Sequence, residues 1–560
     1  MLLEEHIPIA FAQTAQLGRA VGLGRPAIVI VPDHDSWNDF DYRLYADMHV
    51  LLSDREEVRS IRLMFEGEGD TASYLKSLFA LAGPVVPATN IPKQISSLQR
   101  KTESYRDLVA EVGFARAVAA LRVLGDAVLL TLEDNDLARL ALIKSERFHA
   151  AMVRSAEEYR AFRRGGQHLR PSPVAEVEDA ATSFELRPPL PGGDLLDPLA
   201  FDFKPDLLFD DRVGVLIGRN GIGKTQSLLA LILGMTTSDV AAAGALNPAP
   251  QVRRVLMFSS VPSDPYPKSI LPWLGIDYEY HPVAIDTLPL GRSFILSLVD
   301  CVRDDDALFG TGEEGQDRHG LLRKTLRELG MWDGLHVPLT SPSKGADDKF
   351  KNTVQLNGVP YYRLDDVKGE YRTITLLNRI DLTRPAVVLS TSGELRHLSS
   401  GELAMLQFAA QAIASIERGS LLLFDEPETH LHPNYVSEFM DLLQELLKQT
   451  QSIAIIATHS AYVVREVPRH RVIILRQTDG GIEVVSPRLQ TFGANVDDVS
   501  QFVFGDTLIS HRYQRVLKRW ANTQGRALGL DGVIKDYGEE LNPETLSFIA
   551  RVIDEPTPER

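Results

Sequence analysis

Gly218-Arg219-Asn220-Gly221-Ile222-Gly223-Lys224-Thr225 has the residue types and spacing of a loop that folds around phosphate. Its glycines let the backbone turn tightly, so that several N–H groups face phosphate oxygens. Lys224 adds a point charge for the β- and γ-phosphates of a nucleotide, and Thr225 a hydroxyl for Mg²⁺. A helix beginning at the loop adds the positive end of its dipole. The nucleotide-binding candidates are therefore Gly218, Asn220, Gly221, Gly223, Lys224 and Thr225. At average residue frequencies a chain of this length yields ~0.02 such matches by chance, so an incidental glycine-rich turn is a poor account.

Leu421-Leu422-Leu423-Phe424-Asp425-Glu426 is an apolar run ending in two carboxylates. Asp425 is placed to hold Mg²⁺, directly or through water. Glu426 is placed to polarise an attacking water, a general-base role worth roughly 10²–10⁴-fold in rate. Alone this stretch reads as a buried strand with two acids at its end; behind a full phosphate loop the chemical account is stronger. Ala457-Thr458-His459-Ser460 closes another apolar run. Ligands of an α/β sheet gather at the carboxyl ends of its strands, which makes His459 a candidate to bond a γ-phosphate and sense its loss. Leu398-Ser399-Ser400-Gly401-Glu402 stands before a predicted helix. Ser399 and the backbone around Gly401 offer donors to phosphate at a helix start. A plain helix cap closed by Glu402 uses the same N–H groups.

The elements that must position these residues are legible as apolar runs. Val213 to Ile217, Leu421 to Phe424, Ile453 to Ala457 and Val472 to Leu475 each read as a buried strand, and they alternate with helices, which predicts a largely parallel sheet covered on both faces. Helices are predicted from Thr225 to Leu233, from Gly401 to before Gly419, and from Asn434 to Thr450. Ahead of them, Ala27 to Val31 and Ile61 to Phe65 read as strands, and Phe114 to Leu124 and Ala138 to Arg154 as helices.

The chain has 560 residues, with 44% apolar and 24% charged residues, as in ordinary globular protein. Its one cysteine, Cys301, excludes an intrachain disulfide and a cysteine zinc cluster and suits a cytoplasmic location. The start of the chain lacks the pattern of a secretory signal, and no apolar run approaches the roughly 18 residues that span a bilayer. A net charge of −17 repels nucleic acid at long range, so DNA contact needs a local basic surface.

The order of these four motifs resembles ABC-type ATPases. The form Asp425-Glu426-Pro427-Glu428-Thr429-His430-Leu431-His432-Pro433 resembles their RecF, OLD and SMC-like branch. Together with Thr491-Phe492-Gly493-Ala494 it is similar to stand-alone AAA-type ATPases of bacterial anti-phage defence, including the Septu-type ATPase subunit. The resemblance implies an α/β P-loop NTPase of ABC type with a largely parallel sheet at 201–505, carrying an inserted lid at about 240–385. Around it lie an N-terminal α+β domain at 1–165, a proline- and glycine-rich linker at 166–200 and a basic helical tail at 506–560. It implies ATP and Mg²⁺ as ligands, with Thr225 and Asp425 on the metal and Glu426 and His459 in catalysis. It further implies a homodimer with composite sites in which Ser399 and Gly401 reach the nucleotide of the partner subunit. The work it implies for that dimer is regulation of a DNA-directed or anti-phage effector, such as a separate HNH-type nuclease. Two other functions fit the same motifs: a RecF-like DNA-repair or DNA-sensing ATPase, and a slow ATP-dependent scaffold for a nuclease.

The chain departs from that pattern in one place. A glutamine is expected after the strand that follows the phosphate loop, yet Val255 to Phe258 runs into Ser259-Ser260-Val261-Pro262-Ser263-Asp264. The acidic signature of a TOPRIM nuclease does not follow His459, so nuclease activity is not expected. Arg512, Arg515, Lys518, Arg519 and Arg526, with Tyr513 and Trp520, form a basic aromatic segment that suits either nucleic acid or a solvated helix face. Asp33, Asp35 and the acids of Phe65 to Asp70 read as turn residues. His430 and His432 lack a third metal ligand in sequence.

Overall fold

The computed structural model describes residues 5–33, 42–133, 148, 151–153, 155–171, 180–190, 194–204, 212–236, 245–260, 263–271, 275–283, 294–303, 307–309, 316–340, 350, 352–364, 376, 379–381, 384–390, 393–504, 512–538, 540–541 and 543–554. At its centre is a seven-stranded sheet. The strands run in the order Tyr278–Pro282, Val255–Ser259, Leu421–Asp425, Ile453–Thr458, Val213–Gly218, Val472–Thr478 and Gly481–Val485. Every neighbouring pair is parallel except the last, an antiparallel hairpin at the edge. The four strands after the first are aliphatic and buried along their length because helices cover both faces. One face packs on the helices Phe294–Arg303, Ser400–Ser415 and Pro433–Thr450; the other packs on Lys224–Gly234 and a small antiparallel sheet. Parallel strands end on one side, so Gly218, Asp425 and Thr458 all reach the same edge. The fold is α/β, with a largely parallel P-loop sheet.

The small sheet corrects the expected linker at 166–200. Ser183–Arg187 pairs with Leu199–Asp202 and with Ala245–Asn247. Phe184, Phe201 and Phe203 bury themselves against the central sheet, where Gly214 leaves room for Phe201 and Phe203. Prolines flank these short strands and obscure them in the sequence.

The expected lid at about 240–385 is also narrower than the sequence implied. Val255–Ser259 and Tyr278–Pro282 belong to the central sheet, and Ile295, Leu298 and Val299 lie in its core. The rest includes a five-stranded antiparallel sheet, Val354–Leu356, Val359–Arg363, Leu335–Pro338, Val387–Leu389 and Leu395–His397, which shares the core through Leu335, Val337 and Tyr362 and whose last strand leads into Ser399.

The N-terminal region holds a six-stranded mixed sheet: Val85–Pro87, Ile9–Ala12, Ala27–Pro32, Tyr45–Leu51, Glu56–Phe65 and Ile95–Gln99. Phe11, Ile28, Met48, Leu63 and Phe65 pack there with residues of the helices Thr102–Val112, Phe114–Val123 and Ala127–Glu133. The predicted helix from Ala138 to Arg154 lies outside the described residues save 148 and 151–153. The helix Ala156–Arg164 has a capping box between Ser155 and Glu158, and Glu158 is also ion-paired to Arg62 at 2.8 Å and Arg100 at 3.2 Å. Its far end reaches the central sheet and the helices on it: Arg163 stands 3.3 Å from Asp300 and 3.5 Å from Glu279, and Arg164 3.3 Å from Glu417.

The expected C-terminal tail is a small bundle with its own core of Ala521, Val533, Ile549 and Val552. Trp520 packs edge-on to Tyr537, and Arg526 donates to the Val552 carbonyl at 3.0 Å. The side chains of Arg512, Tyr513 and Arg515 lie outside the described residues, as do Asp35 and the side chain of His430. Among the described residues no helix is long and apolar enough to cross a membrane.

Candidate nucleotide site

The phosphate loop leaves the carboxyl end of Val213–Gly218 and enters the helix Lys224–Gly234. A Cβ on Gly218 would stand 2.7 Å from the Leu475 carbonyl of the adjoining strand, so the close approach of two backbones requires glycine there. Gly221 and Gly223 have φ of +81° and +105°, which let the loop turn back over the helix start. Asn220 and Gly221 are exposed at its tip. Lys224 is buried, and its Nζ donates to the Gly218 carbonyl at 3.0 Å and the Arg219 carbonyl at 3.3 Å. The ammonium also stands 3.6 Å from Glu426 Oε1.

Thr225 Oγ1 donates to Asp425 Oδ2 at 2.8 Å, joining the phosphate-loop helix to the acidic strand. Asp425 is 3% exposed. Burial raises its carboxyl above the ordinary range, while hydrogen bonds from Tyr266 and Thr225 pull the other way. Its Oδ1 has no hydrogen-bond partner among the described residues. A buried carboxylate oxygen without a donor, beside a threonine hydroxyl, is a donor set suited to a hard cation such as Mg²⁺.

Glu426 follows in the left-handed region, φ +52° and ψ +53°, which a residue other than glycine adopts only when its surroundings impose it. Its N–H donates to the Ala457 carbonyl at 2.8 Å, and its own carbonyl accepts from Thr429 Oγ1 at 2.8 Å. Held this way, the side chain leaves the strand direction and meets His459 Nδ1 at 3.2 Å. Glu428 turns inward. Its Oε1 accepts from Thr458 Oγ1 and stands 3.6 Å from His459 Nδ1. Burial raises the Glu428 carboxyl, and the Thr458 hydrogen bond opposes that rise.

Ser399 and Gly401 stand apart from this cluster. Ser399 Oγ accepts from the Glu402 N–H at 3.3 Å and donates to Glu402 Oε2 at 2.9 Å, while the Ser399 N–H donates to the same oxygen at 2.8 Å. Arg396 grips Glu402 with two hydrogen bonds, of 2.8 and 2.9 Å, and holds its carboxyl at about 2. The cap is thus fully formed, and Ser399 remains exposed. A Cβ on Gly401 would lie 2.8 Å from the Tyr435 ring, so packing against the next helix also demands glycine.

One residue of the site went unnoticed in the sequence. Tyr266 is buried, and its hydroxyl donates to Asp425 Oδ2 at 2.8 Å. It lies in the loop after Val255–Ser259, where a glutamine was expected. An aromatic residue in that loop is the only signal the sequence carried.

Residues 370–465 match the family model described as an AAA domain, putative AbiEii toxin of a type IV toxin–antitoxin system. That stretch includes Ser399, Asp425, Glu426 and His459 but not the phosphate loop. Over 159 residues the chain is 30% identical to protein ea59 of Escherichia phage lambda, an alignment that takes in 28% of this chain and spans only 30% of that protein. The SMC head domain from Thermotoga maritima overlays 55% of this chain and 99% of its own at 14% identity, with a TM-score of 0.27. UvrA2 from Deinococcus radiodurans overlays 59% of this chain and 41% of its own at 15% identity, with a TM-score of 0.30. The family match, joined to the geometry above, supports an AAA-type ATPase.

Proposed function

We propose that the chain binds ATP with Mg²⁺, hydrolyses it, and does so as a homodimer that regulates a separate effector. The observation that carries this is the Thr225–Asp425 hydrogen bond of 2.8 Å, with Lys224, Glu426 and His459 gathered on the same sheet edge. Mg²⁺, when bound, neutralises phosphate charge and favours departure of the γ-phosphoryl group. Thr225 and Asp425 would hold it. The loop N–H groups and Lys224 bind and orient the phosphates, for which Lys224 must leave the Gly218 and Arg219 carbonyls. Glu426 takes the proton of the attacking water, and its imposed backbone conformation aims its carboxylate away from the strand. His459, on the neighbouring strand end, holds that carboxylate in place.

The homodimer is part of this reading because Ser399 is exposed at the start of its helix; to meet a nucleotide on another subunit, its hydroxyl and N–H would exchange Glu402 for phosphate. The matched family's description as a toxin of a toxin–antitoxin system suits a role in bacterial conflict, with a nuclease or DNA as the target and the cytoplasm as the place. Isothermal titration with ATP and Mg²⁺ tests the core of this function. The native chain should bind at micromolar concentration, and Lys224→Ala should lose binding by a hundredfold or more, of the order expected for a desolvated charge pair with phosphate. Equal binding by the two would refute it.

A further inference from the structure

The loop that carries Tyr266 is anchored at both ends of that residue. Asp264 Oδ1 accepts from the Tyr266 N–H at 3.1 Å and from Lys268 Nζ at 2.7 Å, and Asp264 Oδ2 accepts from Tyr280 OH at 2.5 Å. Lys268 also sits 3.7 Å above the Tyr280 ring. The backbone of Tyr266 is therefore fixed to the edge strand Tyr278–Pro282. Its hydroxyl is fixed to Asp425 Oδ2, with the Thr225 carbonyl farther away at 3.4 Å.

Two donors thus converge on one oxygen of Asp425, and the other oxygen has no partner among the described residues. A carboxylate held by a single donor pivots about that contact. Held by two donors from different elements, it keeps one rotation, and its remaining oxygen keeps one direction. We propose that Tyr266 is the positioning residue for Asp425: its hydroxyl fixes the rotation of the carboxylate and thereby sets the Mg²⁺ dependence of nucleotide binding. A phenol on an anchored loop takes the place of the expected glutamine side chain. The proposal rests on the Mg²⁺-ATP function above.

The test follows binding of mant-ATP by fluorescence anisotropy, in a Mg²⁺ titration and separately in EDTA, for the native chain, Tyr266→Phe and Lys224→Ala. Tyr266→Phe keeps the ring and removes the donor. Its Mg²⁺ half-saturation should rise about tenfold, the size of one hydrogen bond to a charged acceptor, while binding in EDTA stays as in the native chain. A half-point unchanged or lowered overturns the positioning role, as does equal weakening with and without Mg²⁺, which would mark mere structural damage. These results leave the nucleotide function standing so long as Lys224→Ala abolishes binding; Lys224→Ala binding like the native chain overturns both. Should the phenylalanine variant not fold, Asp264→Asn loosens the anchor and carries the same test, with a smaller shift in the same direction.

Discussion

His459 Nδ1 stands 3.2 Å from Glu426 Oε1, tying the ends of two neighbouring parallel strands. The same Glu426 oxygen has Lys224 at 3.6 Å. One carboxylate is thus flanked by the group that would bind phosphate and the group that would report its departure.

From this pair comes the first prediction. His459→Ala should slow ATP hydrolysis about 10- to 100-fold, as expected for loss of a group that orients a general base, and leave ATP affinity within about twofold. Phosphate release and equilibrium binding measure the two. An unchanged rate would remove His459 from the site.

A second prediction separates the two roles of Ser399. Ser399→Ala removes the cap and should cost about 1 kcal/mol of stability in urea denaturation. Ser399→Arg should abolish ATP-dependent dimerisation, read by light scattering, since a long cation would occupy the place of a partner-bound phosphate. Native dimerisation in Ser399→Arg would reduce the residue to a helix cap.

A third concerns the junction with the N-terminal domain. Glu417 lies 3.3 Å from Arg164 and 3.4 Å from Arg318, just past the helix that Ser399 caps. Burial alone would raise its carboxyl, but Arg164, Arg318 and Arg254 outweigh that and hold it at about 2. Removing one partner of such a buried set costs roughly 3–5 kcal/mol, so Glu417→Ala should lose about that much in chemical denaturation. Because the folded value is depressed, the stabilisation is present above the ordinary carboxylate range and disappears as pH falls toward 2. Glu417→Gln should flatten that acid limb.

The fourth has the opposite sign. Asp126 is fully buried under Tyr105, whose hydroxyl donates to it at 3.0 Å, and the Val128 N–H donates at 3.0 Å. Burial pushes its carboxyl up to about 7, against the hydrogen bonds that lower it. The folded state then holds the proton where the unfolded state has lost it, so stability falls as pH rises from about 4 to about 7. Asp126→Asn should remove that slope and raise stability at pH 8 by on the order of 2 kcal/mol. Thermal unfolding at pH 5 and pH 8 provides the comparison.

The central sheet was legible because its buried strands are continuous aliphatic runs. Val213–Gly218, Leu421–Asp425 and Ile453–Thr458 begin where the sequence placed them. Tyr278–Pro282 was not, because half-buried Glu279 and buried His281 interrupt its apolar run; Glu279 meets Arg254 at 3.4 Å and Arg163 at 3.5 Å from distant segments, and His281 stacks on Phe258. The phosphate loop and the Asp425-Glu426 pair announce themselves through spacing within one segment. Tyr266 and Asp425 meet across 159 residues of chain, and no local pattern encodes that. Gly401 carries a second cause that sequence could not separate from the first, since its lack of a side chain serves the Tyr435 ring as well as any ligand.

Phosphate release from Mg²⁺-ATP by Glu426→Gln, set against the native chain, tests the account most directly. The amide keeps the shape and loses the base, so turnover should drop by roughly 10²–10⁴-fold while ATP still binds. Hydrolysis at the native rate in Glu426→Gln would contradict the assignment of this sheet edge as a hydrolytic centre built around Glu426.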